Sequence, residues 1–157
     1  MVAGHYGHYT DLAELRRKFS ISLKGATLAQ LMRHAAFLEL SARPLRLELE
    51  ELPQLTLPCI LHWDLNHFVV LEKIHKDWRG KVTVILLDPA VGRRRLGLQE
   101  ISQHFTGVAL ELTPNSGFKP GNERKQISLK DLTGQILGLR RALLQMLLLA
   151  LALELFA

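Results

Sequence analysis

Cysteine is almost missing from this chain of 157 residues: Cys59 is the only thiol. An internal disulfide is therefore excluded, and the usage fits a reducing compartment. The N-terminus, MVAGHYGHYTD, has no basic segment followed by an apolar one, which argues against a secretory signal. No G-x-x-x-x-G-K-[ST] occurs, so the chain holds no P-loop for ATP, and no serine sits in a G-x-S-x-G setting. Aromatic residues make up only 6% and are not interleaved with the basic clusters RRK (16–18), GRRR (92–95) and ERK…GLRR (123–141). The formal charge of +5 and the pI near 9.7 therefore read as a basic surface, with no nucleic-acid partner.

What is present suffices for one medium domain with an appendage. A hydrophobic content of 48% against 22% charged residues suits a globular core. TDLAELRRKF (10–19) reads as a helix, with Thr10 or Asp11 as cap and Arg16 to Lys18 near its negative end. ATLAQLMRHAAFLEL (26–40) reads as a second helix, opened by a Thr27/Gln30 capping box and buried through Leu28, Leu31, Met32, Ala35 and Leu38. The period then changes to two in ARPLRLELEEL (42–52), a half-buried strand. PCILHW (58–63), HFVVLEKI (67–74) and VTVILLD (82–88) are further strands, with HKDWRGK (75–81) as a hairpin connection. GLQEISQHF (97–105) is a short helix and GVALELTP (107–114) a last strand. Helices followed by a mostly antiparallel sheet predict an α+β domain over 1–114.

NSGFKPGNERKQ (115–126) is polar and rich in glycine and proline, which places a linker at 115–127. Residues 128–141 are amphipathic and basic, and the sixteen residues ALLQMLLLALALELFA (142–157) are almost continuously apolar. A bilayer needs about 20 such residues. The segment 128–157 is read as a basic approach and the first part of a transmembrane helix, in preference to a helix packed on a partner. Arg140 and Arg141, with Arg124, Lys125 and Lys130 upstream, place the preceding domain on the cytoplasmic side.

Chemistry concentrates at HWDLNHFVVL (62–71). His67 opens one strand and Asp88 ends the next, so a hairpin between them sets the two side by side. A carboxylate holding one imidazole nitrogen leaves the other free as a base, which is the base-plus-orienter half of a nucleophilic triad. A purely structural hydrogen bond is the competing reading. Cys59 lies inside a strand beside Pro58 and reads as a small core residue, since a reactive thiol favours a helix N-terminus. His5 and His8 lack the carboxylate or thiol that would complete a metal set. His62 reads as strand packing, while His34 and His104 sit on helices without an evident partner. The chain thus offers a base and an orienter but no nucleophile. MVAGHYG reads as the tail of a helix whose front lies upstream of Met1.

Taken together, MVAGHYGHYTDLAELR, GATLAQLMRHA, LPCILHWDLNHFVVL and LLDPAVGRRRL resemble the bacteriocin-processing cysteine peptidase domain at the front of ABC exporters of the colicin V secretion type. The resemblance covers residues 1 to about 114, and the linker with its apolar tail resembles the start of the exporter's membrane domain. It implies a papain-like α+β fold and cleavage of leader peptides after a double glycine at the cytoplasmic face of the bacterial inner membrane. It also implies ATP-driven export by the full-length exporter, working as a homodimer, with no cofactor in this chain. In that reading His67, within NHFVVL, is the general base and Asp88, within LDPA, orients it. The family's nucleophilic cysteine follows a glutamine and precedes a glycine, and that motif is expected a few residues before Met1. Cys59 does not match it, so the chain as it stands is expected to be inactive. A non-catalytic relative that only binds secretion substrates is the alternative. Without the resemblance, the residues describe a tail-anchored α+β protein.

Overall fold

A computed structural model describes residues 1–10, 15, 19, 26–122 and 139–155. Most of the helix expected at 10–19, the basic cluster at 16–18 and residues 123–138 of the cluster at 123–141 lie outside them. The chain divides into two compact units, Met1–Arg124 and Lys125–Ala157.

The first unit is built on a six-stranded antiparallel sheet. Its strands are β2 (Leu40–Arg46), β3 (Cys59–Trp63), β4 (His67–Lys76), β5 (Val82–Asp88), β6 (Gly92–Gly97) and β7 (Phe105–Pro114), in the order β2-β7-β3-β4-β5-β6. Apolar residues occupy both parities of the central strands because both faces are covered. On one face Cys59, Leu61, Val69, Leu71, Val84 and Leu86 pack with Leu52 and with Ile101 of helix α3 (Leu98–His104). On the other face Val70, Leu110 and Leu112 meet Val2 of α1 (Val2–His5) and Ala35 of α2 (Leu28–Phe37).

The capping box forms as the spelling of α2 requires. The Gln30 amide donates to the Thr27 hydroxyl at 3.3 Å, and the Thr27 amide donates to the Gln30 side chain at 2.7 Å. Gly7, at φ +85°, lets the chain leave α1 in a conformation that costs other residues dearly. Tyr6 ties this corner to the sheet by donating its hydroxyl to the Leu112 carbonyl at 3.0 Å.

Two expectations need correction, and one strand was not anticipated. The strand expected over 42–52 ends at Arg46, and Leu49–Gln54 turns as a 3-10 helix. The alternation LELEEL mimics a strand. Instead the Glu48 amide donates to the Glu51 carboxylate at 2.8 Å, and Leu52 is buried. GRRRLG is the unanticipated edge strand β6: Arg93 pairs with Glu72 and Arg94 with Glu100, each at 2.9 Å, while Leu96 points inward. A charged edge strand discourages pairing with a second sheet. Second, part of the stretch read as linker folds onto the first unit. β8 (Gly121–Asn122) lies parallel to β1 (His8–Tyr9), and Phe118 packs edge-on to Tyr6.

Within the second unit, α4 runs Leu139–Leu155, seventeen residues of one helix. Its leucines from Leu143 to Leu155 are exposed. No helix among the described residues is long and apolar enough to cross a membrane.

Candidate active site

The β4–β5 hairpin brings two functional groups to one end of the sheet. Pairing of Val70 with Leu87 sets residue 88 across from residue 69. His67 lies one side-chain repeat before that, on the same face. Its Nε2 stands 2.9 Å from Asp88 Oδ1. The carboxylate is buried, with 8% of its side chain exposed, whereas the imidazole is 33% exposed. That contrast suits a fixed orienter beneath an accessible base. The Ala90 amide also donates to Asp88 Oδ1, at 2.8 Å, so one oxygen closes the β5–β6 turn and holds the imidazole.

Burial alone would push the Asp88 carboxyl up. Hydrogen bonds from His67 and from the Ala90 and Val91 amides, together with the charge on His67, outweigh it and hold the carboxyl below its usual range. An ionised Asp88 accepts a hydrogen bond from Nε2–H, which leaves Nδ1 as the unprotonated nitrogen of a neutral ring. Among the described residues Nδ1 has no hydrogen-bond partner. A carboxyl whose folded pKa is depressed adds stability that is fully present above about pH 3.9 and is lost as pH falls through its folded value. The urea midpoint of Asp88→Asn should therefore fall less between pH 6 and pH 3 than that of the parent chain. Equal falls would show that Asp88 adds nothing to acid stability.

The turn that delivers His67 is unusual. Asp64 and Leu65 adopt left-handed conformations, with φ of +49° and +62°. For Leu65 that costs roughly 1–2 kcal/mol, and its side chain is nevertheless 81% exposed. Leu65 and Asn66 form part of the rim of a cleft lined also by Leu28, His62, Phe68 and Val108.

Four of the other histidines have clear contacts. His62 Nδ1 lies 2.7 Å from the Thr106 hydroxyl, beside the Phe68 ring. His34 meets the Phe19 ring at a tilt of 31°, with centroids 4.0 Å apart. His8 meets the Lys119 carbonyl at 3.2 Å. His104, expected to lack a partner, has Nδ1 2.7 Å from Asp64 Oδ1 and stacks on Trp63. No local signal in the sequence announces that pair, because forty positions separate its members.

Cys59 is fully buried in β3, and burial, with the nearby Glu111 charge, pushes its thiol up to about 12. A thiol so protonated is not a nucleophile at neutral pH. Iodoacetamide should leave Cys59 unmodified in the folded chain and label it fully in guanidinium. Rapid labelling of the folded chain would contradict this burial.

Residues 1–117 match the family model described as the Peptidase C39 family. The chain is 44% identical over 154 residues to the Escherichia coli "Colicin V secretion/processing ATP-binding protein CvaB", which covers 98% of this chain and 21% of the relative. The "Probable microcin-H47 secretion/processing ATP-binding protein MchF" of the same organism matches with the same identity and coverage. The chain thus spans about a fifth of these relatives. Among solved structures it resembles a "double glycine motif protease from AMS/PCAT transporter in complex with the leader peptide". That likeness has a TM-score of 0.64 and 32% identity over 73% of this chain and 79% of that one. The peptidase domain of Streptococcus ComA, "a Bi-functional ABC Transporter", gives a TM-score of 0.61 and 26% identity over 73% and 85% of the two chains. On the span and order of these matches, the chain belongs to the Peptidase C39 family.

Proposed function

We propose that residues 1–117 are the leader-processing cysteine peptidase domain of a bacteriocin exporter, cleaving after a double glycine. The observation that carries this reading is the arrangement of His67, a partly exposed imidazole with Nε2 held by a buried carboxylate. A base so presented takes the proton of a thiol. The thiolate then attacks the carbonyl carbon of the second glycine, and the imidazolium returns the proton to the departing amine. Water next hydrolyses the thioester, with His67 again as base. Asp88 fixes the ring throughout and balances the transient positive charge. The names of the solved relatives support the substrate class: one is a double-glycine protease seen with a leader peptide.

Cys59 is sealed in the core, so in this reading the attacking thiol is a different cysteine, the one the family carries in its glutamine and cysteine-glycine motif. The same reading places the domain at the cytoplasmic face of the bacterial inner membrane, in a papain-like arrangement. It makes the exposed apolar helix α4 the first part of a longer membrane-spanning segment. Seventeen residues at a rise of about 1.5 Å reach roughly 26 Å, short of a hydrocarbon core of about 30 Å. Export would draw on ATP bound by a downstream domain, in a homodimer.

A second reading is favoured by the single buried cysteine: a domain that binds secretion substrates without cutting them. The two separate in one experiment. The chain is extended upstream through its genomic reading frame and incubated with a double-glycine leader peptide, and the products are weighed by mass spectrometry. A cut after the second glycine supports the peptidase. Leader binding with no cut, despite an upstream cysteine, would overturn it in favour of the binding module.

A further inference from the structure

The reading of His67 as a base leaves unexplained why its approach turn is left-handed at two successive non-glycine residues. Two such residues make a hairpin turn that suits the strand twist, but leucine is strained there, and a second set of contacts fastens the turn. Asp64 and His104 are bonded twice in opposite senses. The Asp64 amide donates to the His104 carbonyl at 2.9 Å, and His104 Nδ1–H donates to Asp64 Oδ1 at 2.7 Å. The His104 ring lies flat on Trp63, with centroids 5.2 Å apart and planes 18° from parallel. Trp63 pairs across the ladder with both His67 and Phe105, so the stacked ring and the base share one backbone anchor. The Asn66 amide closes the loop onto the Trp63 carbonyl at 3.3 Å.

Both members of the pair are open to water, with 34% of the His104 and 49% of the Asp64 side chain exposed. A pair so exposed adds little to global stability. Its geometric effect is larger, because it closes the end of α3 onto the turn that fixes where β4 begins.

We infer that Asp64 and His104 are positioning residues for His67: they clamp the left-handed turn so that the imidazole stays seated on Asp88. Neither touches the reacting atoms. The inference rests on His67 as the base, but its test does not need cleavage.

The full chain, labelled with nitrogen-15 in histidine and held in mild detergent, gives a signal for the His67 Nε2–H, assigned with His67→Gln. Its rate of exchange with water measures how often the imidazole leaves Asp88. His104→Phe keeps a ring against Trp63 and deletes the bond to Asp64. It should raise that exchange about threefold to tenfold, the equilibrium effect of one lost hydrogen bond. Backbone amides in the β2–β7 ladder should stay at their parental rates. Asp64→Asn keeps an acceptor and tolerates the left-handed backbone, so it should remain close to the parent. Unchanged His67 exchange in His104→Phe would overturn the clamp. So would an equal rise in the β2–β7 amides, which would mean general loosening. Failure of the base reading looks different: cleavage by an upstream-extended chain would survive His67→Ala, whatever the exchange rates.

Discussion

Replacing His67 with alanine in the upstream-extended chain is expected to lower leader cleavage by about 10²- to 10⁴-fold, the usual worth of a positioned general base. Leader affinity should change little, because the imidazole acts on the thiol and not on the bulk of the peptide. The two Asp88 variants grade the same mechanism. Asp88→Ala leaves Nε2 and the Ala90 amide without their shared acceptor, so the ring can turn and the β5–β6 turn loosens. Asp88→Asn keeps an oxygen acceptor at that point and loses only the charge. The expected order of damage is therefore His67→Ala, then Asp88→Ala, then Asp88→Asn. Initial rates on a leader peptide, with affinity measured separately, check it. Parental cleavage by His67→Ala would end the assignment of His67 as base.

The second large effect lies in the core. Leu71 has no exposed surface and sits among Cys59, Leu61, Val69, Val84 and Leu86, where the central strands are covered. Leu71→Ala removes buried methyl groups and leaves a cavity that packed neighbours only partly fill, at a cost of about 2–5 kcal/mol. For a unit of this size that lowers the melting temperature by roughly 10 °C or more. Trp78 is the matched contrast. It is a larger apolar side chain, but 86% exposed at the tip of the β4–β5 hairpin, where Arg79 lies over its ring. Trp78→Ala should cost less than about 1 kcal/mol. Calorimetry of the two variants side by side decides the matter, and equal losses would mean that burial does not rank their contributions.

Legibility in the sequence followed locality. The bounds of β5 could be read directly, since a run rich in β-branched and apolar residues lies between Gly80 and Pro89. The Thr27/Gln30 box announced α2 because its hydrogen bonds join residues three apart. His67 and Asp88 were brought together by reasoning about a hairpin, which is a short-range device. β6 was hidden by its three arginines, whose partners Glu72 and Glu100 lie on other elements. The strand at 42–52 was overextended because a 3-10 turn can carry a period of two for several residues. β8 pairs with β1 across more than a hundred positions, and its two residues carry no apolar pattern. The His104–Asp64 pair had the same handicap. The family's cysteine motif could be placed only by resemblance, because Cys59, the one thiol in the sequence, is a buried strand residue.

The burial of Cys59 has a practical corollary for enzymology. A native-state thiol reagent meets no competing site in the described part of this chain. In an upstream-extended protein, any stoichiometric modification under folding conditions therefore reports the added segment alone. That makes a plain thiol assay an active-site titration, which counts competent molecules before any leader peptide is supplied.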